Sequence, residues 1–253
     1  MELYYGLTSF SQLKRLPRDM NILVSARMLI KMSISTVAYK YISEFRSVML
    51  DSGAFGCAFW DGGYTYNTDD YLRIVEKVMP EYWVTMDVPC EPNIMPHLSV
   101  LERIKKTVEN TEILSTAPFS GFLPVIQGWE VEEYLHCIDL LEGAGQIKPI
   151  MGIGSICRRG KQEQILNIVR HISQRLPSIK FHAFGIKINT LNYNHGEILN
   201  YLDSLDTAAW QFNGKDELGG WRPRTYQEIY RRLLGYKEKL NKRVSGPHQL
   251  VLR

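Results

Sequence analysis

Cysteine is scarce in this chain and never closely spaced. The four residues, Cys57, Cys90, Cys137 and Cys157, lie 33, 47 and 20 positions apart. With no C-x-C or C-x-x-C, the spacings of zinc knuckles and dithiol redox sites are missing. Also missing are a secretory leader and any apolar run of bilayer length. The expectation is free thiols in a reducing, cytoplasmic protein with no membrane association. There is no internal repeat, low-complexity segment or domain linker. No G-x-G-x-x-G follows the first strand-like run, which counts against a dinucleotide-binding sheet.

What is present is 253 residues, 45% apolar and 23% charged, an ordinary globular composition long enough to bury a core without staples. Short apolar runs recur at 3–7, 21–26, 47–51, 82–87, 122–127, 148–154, 180–186 and 205–210. They are nearly continuous rather than alternating, as parallel strands covered on both faces are. Helical periodicity fills 99–110, 131–143, 161–176 and 225–243, with Gly143 and Pro177 as stop signals. Eight strands with helices between them predict an α/β fold, a single (β/α)8 TIM barrel over about residues 1–220. A basic C-terminal helix follows at about 222–245 within the same single domain, 1–253. An open doubly wound sheet is the alternative. The connection from 52 to 81, rich in Gly, Tyr and Asp, is expected to form an active-site loop.

The net charge of +3 is unevenly spread. From Arg222 onward nine Lys and Arg face two acids, which gives this segment +7 and leaves −4 on residues 1–221. Such a segment fits a polyanionic partner, and equally a solvated helix with no partner.

In a barrel, chemistry collects at the C-terminal ends of the strands. Those ends carry Asp51 in "MLDSGAF", Asp87 in "VTMDVPCEP", Gln127 in "PVIQGW", the turn "MGIGSICRRG", Gly185 and Lys187 in "HAFGIK", and Asp206 in "LDTAAW". Singly, each has a plain structural reading. Asp51 and Asp87 suit turns or helix caps, Gln127 suits loop backbone, and Gly152 and Gly154 suit a tight turn. Arg158 and Arg159 suit a solvated helix start or a phosphate contact. His182, inside a strand, reads as a core histidine, and Asp203 as a turn residue. Three carboxylates and an amide at successive strand ends are poorly explained that way.

In this order, "DSGAF", "MDVPCEP", "PVIQGW", "MGIGS", "HAFGIK" and "DTAAW" resemble the tRNA-guanine transglycosylase superfamily. They look most like its short DNA-acting branch, the deazapurine DNA transglycosylases of phages and bacterial DNA-modification clusters. The resemblance runs from about residue 21 to 212. It implies a (β/α)8 barrel that exchanges guanine for a 7-deazaguanine, with 7-cyano-7-deazaguanine (preQ0) as the expected incoming base, in a bacterial or phage-infected host cytoplasm. It also implies roles. Asp206 matches the nucleophile and Asp51 the acid/base. Asp87 and Gln127 match the groups at the base's edge, Gly154 the backbone facing its carbonyl, and Ser52 a further substrate contact. Phe184 covers one face of the base and Phe55 the other. Arg158, Arg159, Lys187, Arg222 and Arg224 are expected to contact nucleic acid. The tRNA-acting members carry a late Cys-x-Cys-x-x-Cys and His zinc site, whereas no cysteine follows Cys157 here. No metal and no cofactor are therefore expected, and no appended RNA-binding domain has room.

Base exchange at an intact nucleotide keeps the geometry at C1′, so two displacements are needed, with one carboxylate as nucleophile and another as acid/base. The expected partners are DNA with a flipped guanine and the free 7-deazaguanine base. The same exchange on RNA, an accessory barrel that only binds, and a glycoside hydrolase stay open as other readings.

Overall fold

The computed structural model describes residues 1–7, 9, 12–14, 16–31, 36–186, 193–208, 231, 234–235 and 238. Nine parallel strands form one sheet: β1 Glu2–Gly6, β2 Asn21–Ser25, β3 Ser47–Asp51, β4 Tyr82–Val84, β5 Phe122–Leu123, β6 Val125–Ile126, β7 Ile150–Ile153, β8 Lys180–Ala183 and β9 Ser204–Thr207. Their order is β5-β4-β3-β2-β1-β9-β8-β7-β6. The outermost two belong to one run, broken at Pro124, which has no N–H to offer a ladder. The Leu123 carbonyl accepts from Thr85 N–H at 3.0 Å on one side, and the Pro124 carbonyl accepts from Gly152 N–H at 2.7 Å on the other. The sheet therefore closes through the chain itself. Nine segments make up the eight barrel strands expected, the fifth split in two.

Among the described residues, seven continuous helices accompany the strands: α1 Ala26–Lys31, α2 Thr36–Ser43, α3 Ala54–Trp60, α4 Thr68–Val78, α5 Val100–Ser115, α6 Val131–Gly143 and α7 Gln162–Arg175, with a 3₁₀ helix at Tyr193–Tyr201. Capping boxes start α4 (Asn67 with Asp70) and α5 (Ser99 with Glu102). The expectation of a loop over 52–81 is corrected, because α3 and α4 occupy most of it. Tyr71, Ile74, Val75 and Val78 of α4 are buried at helical spacing behind that box. The last strand spans four residues and ends at Thr207, one short of Ala208 in the expected run. Positions 209–210 lie outside the described residues, as does nearly all of the expected helix at 225–243. No described helix is long and apolar enough to cross a membrane. All four cysteines are free thiols.

The core is layered about the strands. Tyr4, Leu23, Met49, Val84, Leu123 and Val125 form an apolar plug inside the barrel. Two larger clusters lie outside it, one mostly against α5 to α7 and the other against α1 to α4. This layering positions the site, because side chains two apart on a strand share a face. Leu23 and Met49 fill the barrel, so Ser25 and Asp51, two residues on, project into its mouth. Ser25 and Asp51 are register partners across β2 and β3. Asp206, two residues beyond the buried Ser204 and beside Tyr4 of β1, follows the same rule.

One backbone approach holds the β4–β5 edge. Gly121 has φ +78°, and a Cβ there would sit 2.0 Å from the Glu81 carbonyl oxygen. Gly121→Ala should therefore lower unfolding stability by about 2 kcal/mol or more, measured by urea titration. Gly143→Ala, at the end of α6 with open space around it, should be neutral or stabilising in the same assay.

Candidate active site

A cavity of about 340 Å³ opens at the C-terminal ends of the strands, within the usual size range of small-molecule sites. Asp51, Asp87, Gln127, Gly154, Phe184, Phe55 and Asp206, each singled out from sequence, all line it. Local packing explains how two of them fit. A Cβ on Gly152 would stand 2.5 Å from the Phe184 ring, and one on Gly154 would stand 2.2 Å from the Gln127 amide nitrogen. Each glycine thus yields the space that a neighbouring site residue fills.

Asp51 ends β3. Its Oδ2 accepts from Gly53 N–H at 2.9 Å. Burial, then the nearby charges of Asp87 and Asp206, push its carboxyl up to about 8, against the pull of that one donor. Asp87 is pushed less far, to about 6, by burial. Gln127 Nε2 donates to its Oδ2, and Ser52 Oγ donates to its Oδ1 at 3.3 Å. Ser52 is buried behind Asp87 rather than exposed in the cavity, and its hydroxyl also meets Tyr64 Oη at 2.8 Å.

Asp206 is 7% exposed. Its Oδ1 accepts from Gly185 N–H at 2.7 Å and stands 3.5 Å from His182 Nε2. His182 is fully buried, its Nδ1 2.9 Å from Ser204 Oγ, and its ring contacts Tyr4 and Phe184 edge-on. His182 therefore serves the core, as its place inside a strand suggested, and also abuts the carboxylate. Asp203 behaves as a strand-end residue, with its Oδ2 accepting from Phe181 N–H at 3.0 Å.

Among the lining residues that escaped the sequence reading, two polar ones stand inside quoted motifs. Glu91 of "MDVPCEP" is buried, and Ser155 follows Gly154. Ser155 Oγ lies 2.7 Å from Gln127 Oε1 and 2.9 Å from Glu91 Oε2, and it accepts from Cys90 N–H at 2.7 Å. Its single proton can serve only one of those two oxygens at a time. Asp87, Gln127, Ser155 and Glu91 thus form one continuous polar wall, which locks the Gln127 amide with its nitrogen toward Asp87. Four carboxylates line the cavity and, among the described residues, no Lys or Arg does. Such a wall favours a neutral ligand rich in N–H donors and disfavours a phosphate inside the cavity.

The arginines separate. Arg158 is exposed, with its guanidinium over Phe55 and Phe59 at 5.4 and 5.0 Å from the ring centres. Arg159 differs from the expectation of a phosphate contact. It is 7% exposed, donates to the Trp129 carbonyl and packs 4.1 Å over that indole. A guanidinium so held presents little surface to a phosphate. Lys187, Arg222 and Arg224 lie outside the described residues.

From about pH 4 to pH 8 the Asp51 carboxyl is protonated in the folded chain and ionised in the unfolded one, so its contribution to stability falls as pH rises. Asp51→Asn removes that dependence. Urea unfolding at pH 5, 6 and 7 should show the variant gaining on the parent, by up to about 1.4 kcal/mol per pH unit. A constant difference across that range would contradict the raised carboxyl.

Solved structures share this architecture at low identity. A protein assigned as a fructose-1,6-biphosphate aldolase from Coccidioides immitis matches with TM-score 0.53 and 11% identity, over 96% of this chain and 90% of that one. The carboxyl transferase domain of Rhizobium etli pyruvate carboxylase, solved with 3-hydroxypyruvate, matches with TM-score 0.50 and 12% identity, over 96% and 47%. At such identity these likenesses speak for the fold alone. A search of curated proteins finds no match. The family model described as "DeoxyPurine in DNA protein A" (DpdA) matches residues 2–246. The chain belongs to the DpdA family, which links it to deazapurine-related modification of DNA.

Proposed function

We propose that this DpdA-family protein is a DNA guanine transglycosylase that exchanges guanine for a 7-deazaguanine, 7-cyano-7-deazaguanine (preQ0) in the first instance, through a covalent aspartyl-nucleotide. One observation carries the reading: Asp51 and Asp206, from the ends of β3 and β9, line the same cavity in different settings. Asp51 is held neutral near pH 7 by burial and by its acidic neighbours. Asp206 is oriented by Gly185 N–H. A protonated acid beside a positioned carboxylate is the division of labour that a double displacement needs.

In this reading the Asp206 carboxylate attacks C1′ of a flipped deoxyguanosine. The C1′–N9 bond breaks, and its electron pair leaves with guanine, which takes the Asp51 proton. The incoming base then gives its N9 proton to Asp51, and its N9 displaces Asp206 from C1′. Both carboxyls return to their starting states, and two inversions retain the geometry. Asp87 and Gln127 accept from and donate to the base's edge, with Ser52, Ser155 and Glu91 holding that wall. Against the expectation that its backbone meets the base carbonyl, Gly154 has its N–H held by the Ile126 carbonyl at 3.0 Å and its own carbonyl held by Tyr134 Oη at 2.9 Å. It leaves room for Gln127, and Phe184 and Phe55 cover the ring faces. Flipping costs a few kcal/mol, which stacking and edge hydrogen bonds offset. Arg158, with Lys187, Arg222 and Arg224, contacts phosphates, so binding weakens with salt. The reading implies a protein that works in the cytoplasm on DNA and a free base, with no metal or cofactor.

The test offers duplex DNA, single-stranded DNA and tRNA with a labelled 7-deazaguanine. Label should enter DNA. Asp206→Ala should lower the rate by at least about 10³-fold and remove any denaturation-resistant protein–DNA adduct. Asp51→Asn should lower it by roughly 10²- to 10⁴-fold. Label in tRNA but not DNA, or an Asp206→Ala variant at the parent rate, would contradict the proposal.

A further inference from the structure

An aromatic row leads out of the cavity along α3. Phe55 lines the cavity, Phe59 stands one turn on and stacks on it with ring centres 5.8 Å apart and planes 10° from parallel, and Trp60 meets Phe59 edge-on at 4.7 Å. The row grows more exposed outward, with Phe59 at 42% and Trp60 at 71%. Among the described residues these are the only two exposed large apolar side chains that adjoin each other in sequence, since Met1, Met79, Leu101, Ile113 and Leu234 are scattered. Arg158 lies across Phe55 and Phe59. An exposed tryptophan on a row that starts in the cavity has an unfavourable contact with water, and the described residues leave it largely uncovered.

The mount is firm. Asp61, directly after Trp60, holds Arg27 Nε and Lys31 Nζ of α1, each at 2.7 Å. Arg27 also runs along the back of α3, where a Cβ on Gly56 would stand 3.1 Å from its Cδ. Among the described residues, three cations, Arg27, Lys31 and Arg158, stand on this rim with the one carboxylate of Asp61, whereas the charged side chains that line the cavity are all carboxylates. A rim with flat rings and positive charge, continuous with a cavity suited to one neutral base, fits a nucleic-acid strand whose bases stack and whose phosphates stay outside.

We infer that Phe59 and Trp60 form a wedge that enters the base stack of duplex DNA beside the target, filling the gap left when the target nucleotide turns into the cavity. The inference rests on the proposed base exchange and adds what makes duplex DNA accessible to it. A wedge matters where stacking must be broken and does little where the base is already unpaired. Phe55 stays with the flipped base, Phe59 and Trp60 with the stack it left, and Arg158 bridges the two.

The test compares the parent with Phe59→Ala/Trp60→Ala, two exposed positions whose change leaves the core intact. The probe is one plasmid-length linear DNA, used as duplex and after heat denaturation, so that any sequence preference is present in both forms. Two readouts are taken: incorporation of a labelled 7-deazaguanine, and binding by electrophoretic mobility. Incorporation into duplex should fall at least tenfold in the double variant, while incorporation into denatured DNA should change less than twofold. Duplex affinity should fall several-fold more than single-strand affinity. Equal losses on both forms, or no loss on duplex, would overturn the wedge. If the parent incorporates into neither form but binds duplex in a Phe59- and Trp60-dependent way, the wedge stands and the base-exchange reading falls. If neither activity nor aromatic-dependent binding is found, both fall.

Discussion

Carboxylates crowded into one barrel mouth repel one another and lose part of their hydration, and protonation is the change that lifts both costs at once. The geometry selects Asp51 for it. Asp51 has a single backbone donor and faces Asp87 and Asp206, whereas Asp87 is compensated by Gln127 and Ser52. The outcome is an acid that keeps its proton near neutral pH beside a carboxylate oriented by Gly185. Every other element of the site either supports that inequality or shapes the space in which it acts.

The support is built from strand periodicity. An apolar plug fills the barrel, so the residues two further along each strand have no alternative to the mouth. Glycines supply the remaining room, Gly152 for Phe184 and Gly154 for Gln127. The polar wall from Asp87 to Glu91 fixes the orientation of an amide that would otherwise be free to turn over. Among the described residues no cation lines the cavity, and in the proposed reading base and backbone go to different places: the uncharged, donor-bearing part inside and the phosphates outside.

Much of this could be read from the chain. The strands were visible because parallel barrel strands are apolar on both faces, and Asp51, Asp87, Gln127 and Asp206 stood out as polar residues ending such runs. The break at Pro124 divides a strand without disturbing its pattern, so eight runs were seen where nine segments form. The helices between 52 and 81 were hidden because Gly62, Gly63 and the tyrosines around them dominate the composition, although the Asn67–Asp70 box and the spacing of Tyr71, Ile74, Val75 and Val78 carried the signal. Glu91 and Ser155 could not be assigned, because their role is a contact across 64 residues of chain. Arg158 and Arg159 are adjacent in sequence and opposite in environment, a distinction set by one turn of backbone that composition does not encode. The DpdA family match extends the resemblance of the motifs to residues 2–246.

The inequality between Asp51 and the other carboxylates is open to direct observation. Carbon-13 NMR of aspartate carboxyls, titrated from pH 4 to pH 9 with Asp51→Asn to identify the signal, reports the ionisation of this one group. A resonance that titrates near pH 8 and vanishes in the variant is the expected result. An Asp51 signal that titrates near pH 4, as an ordinary aspartate does, would contradict the division of roles on which the mechanism stands.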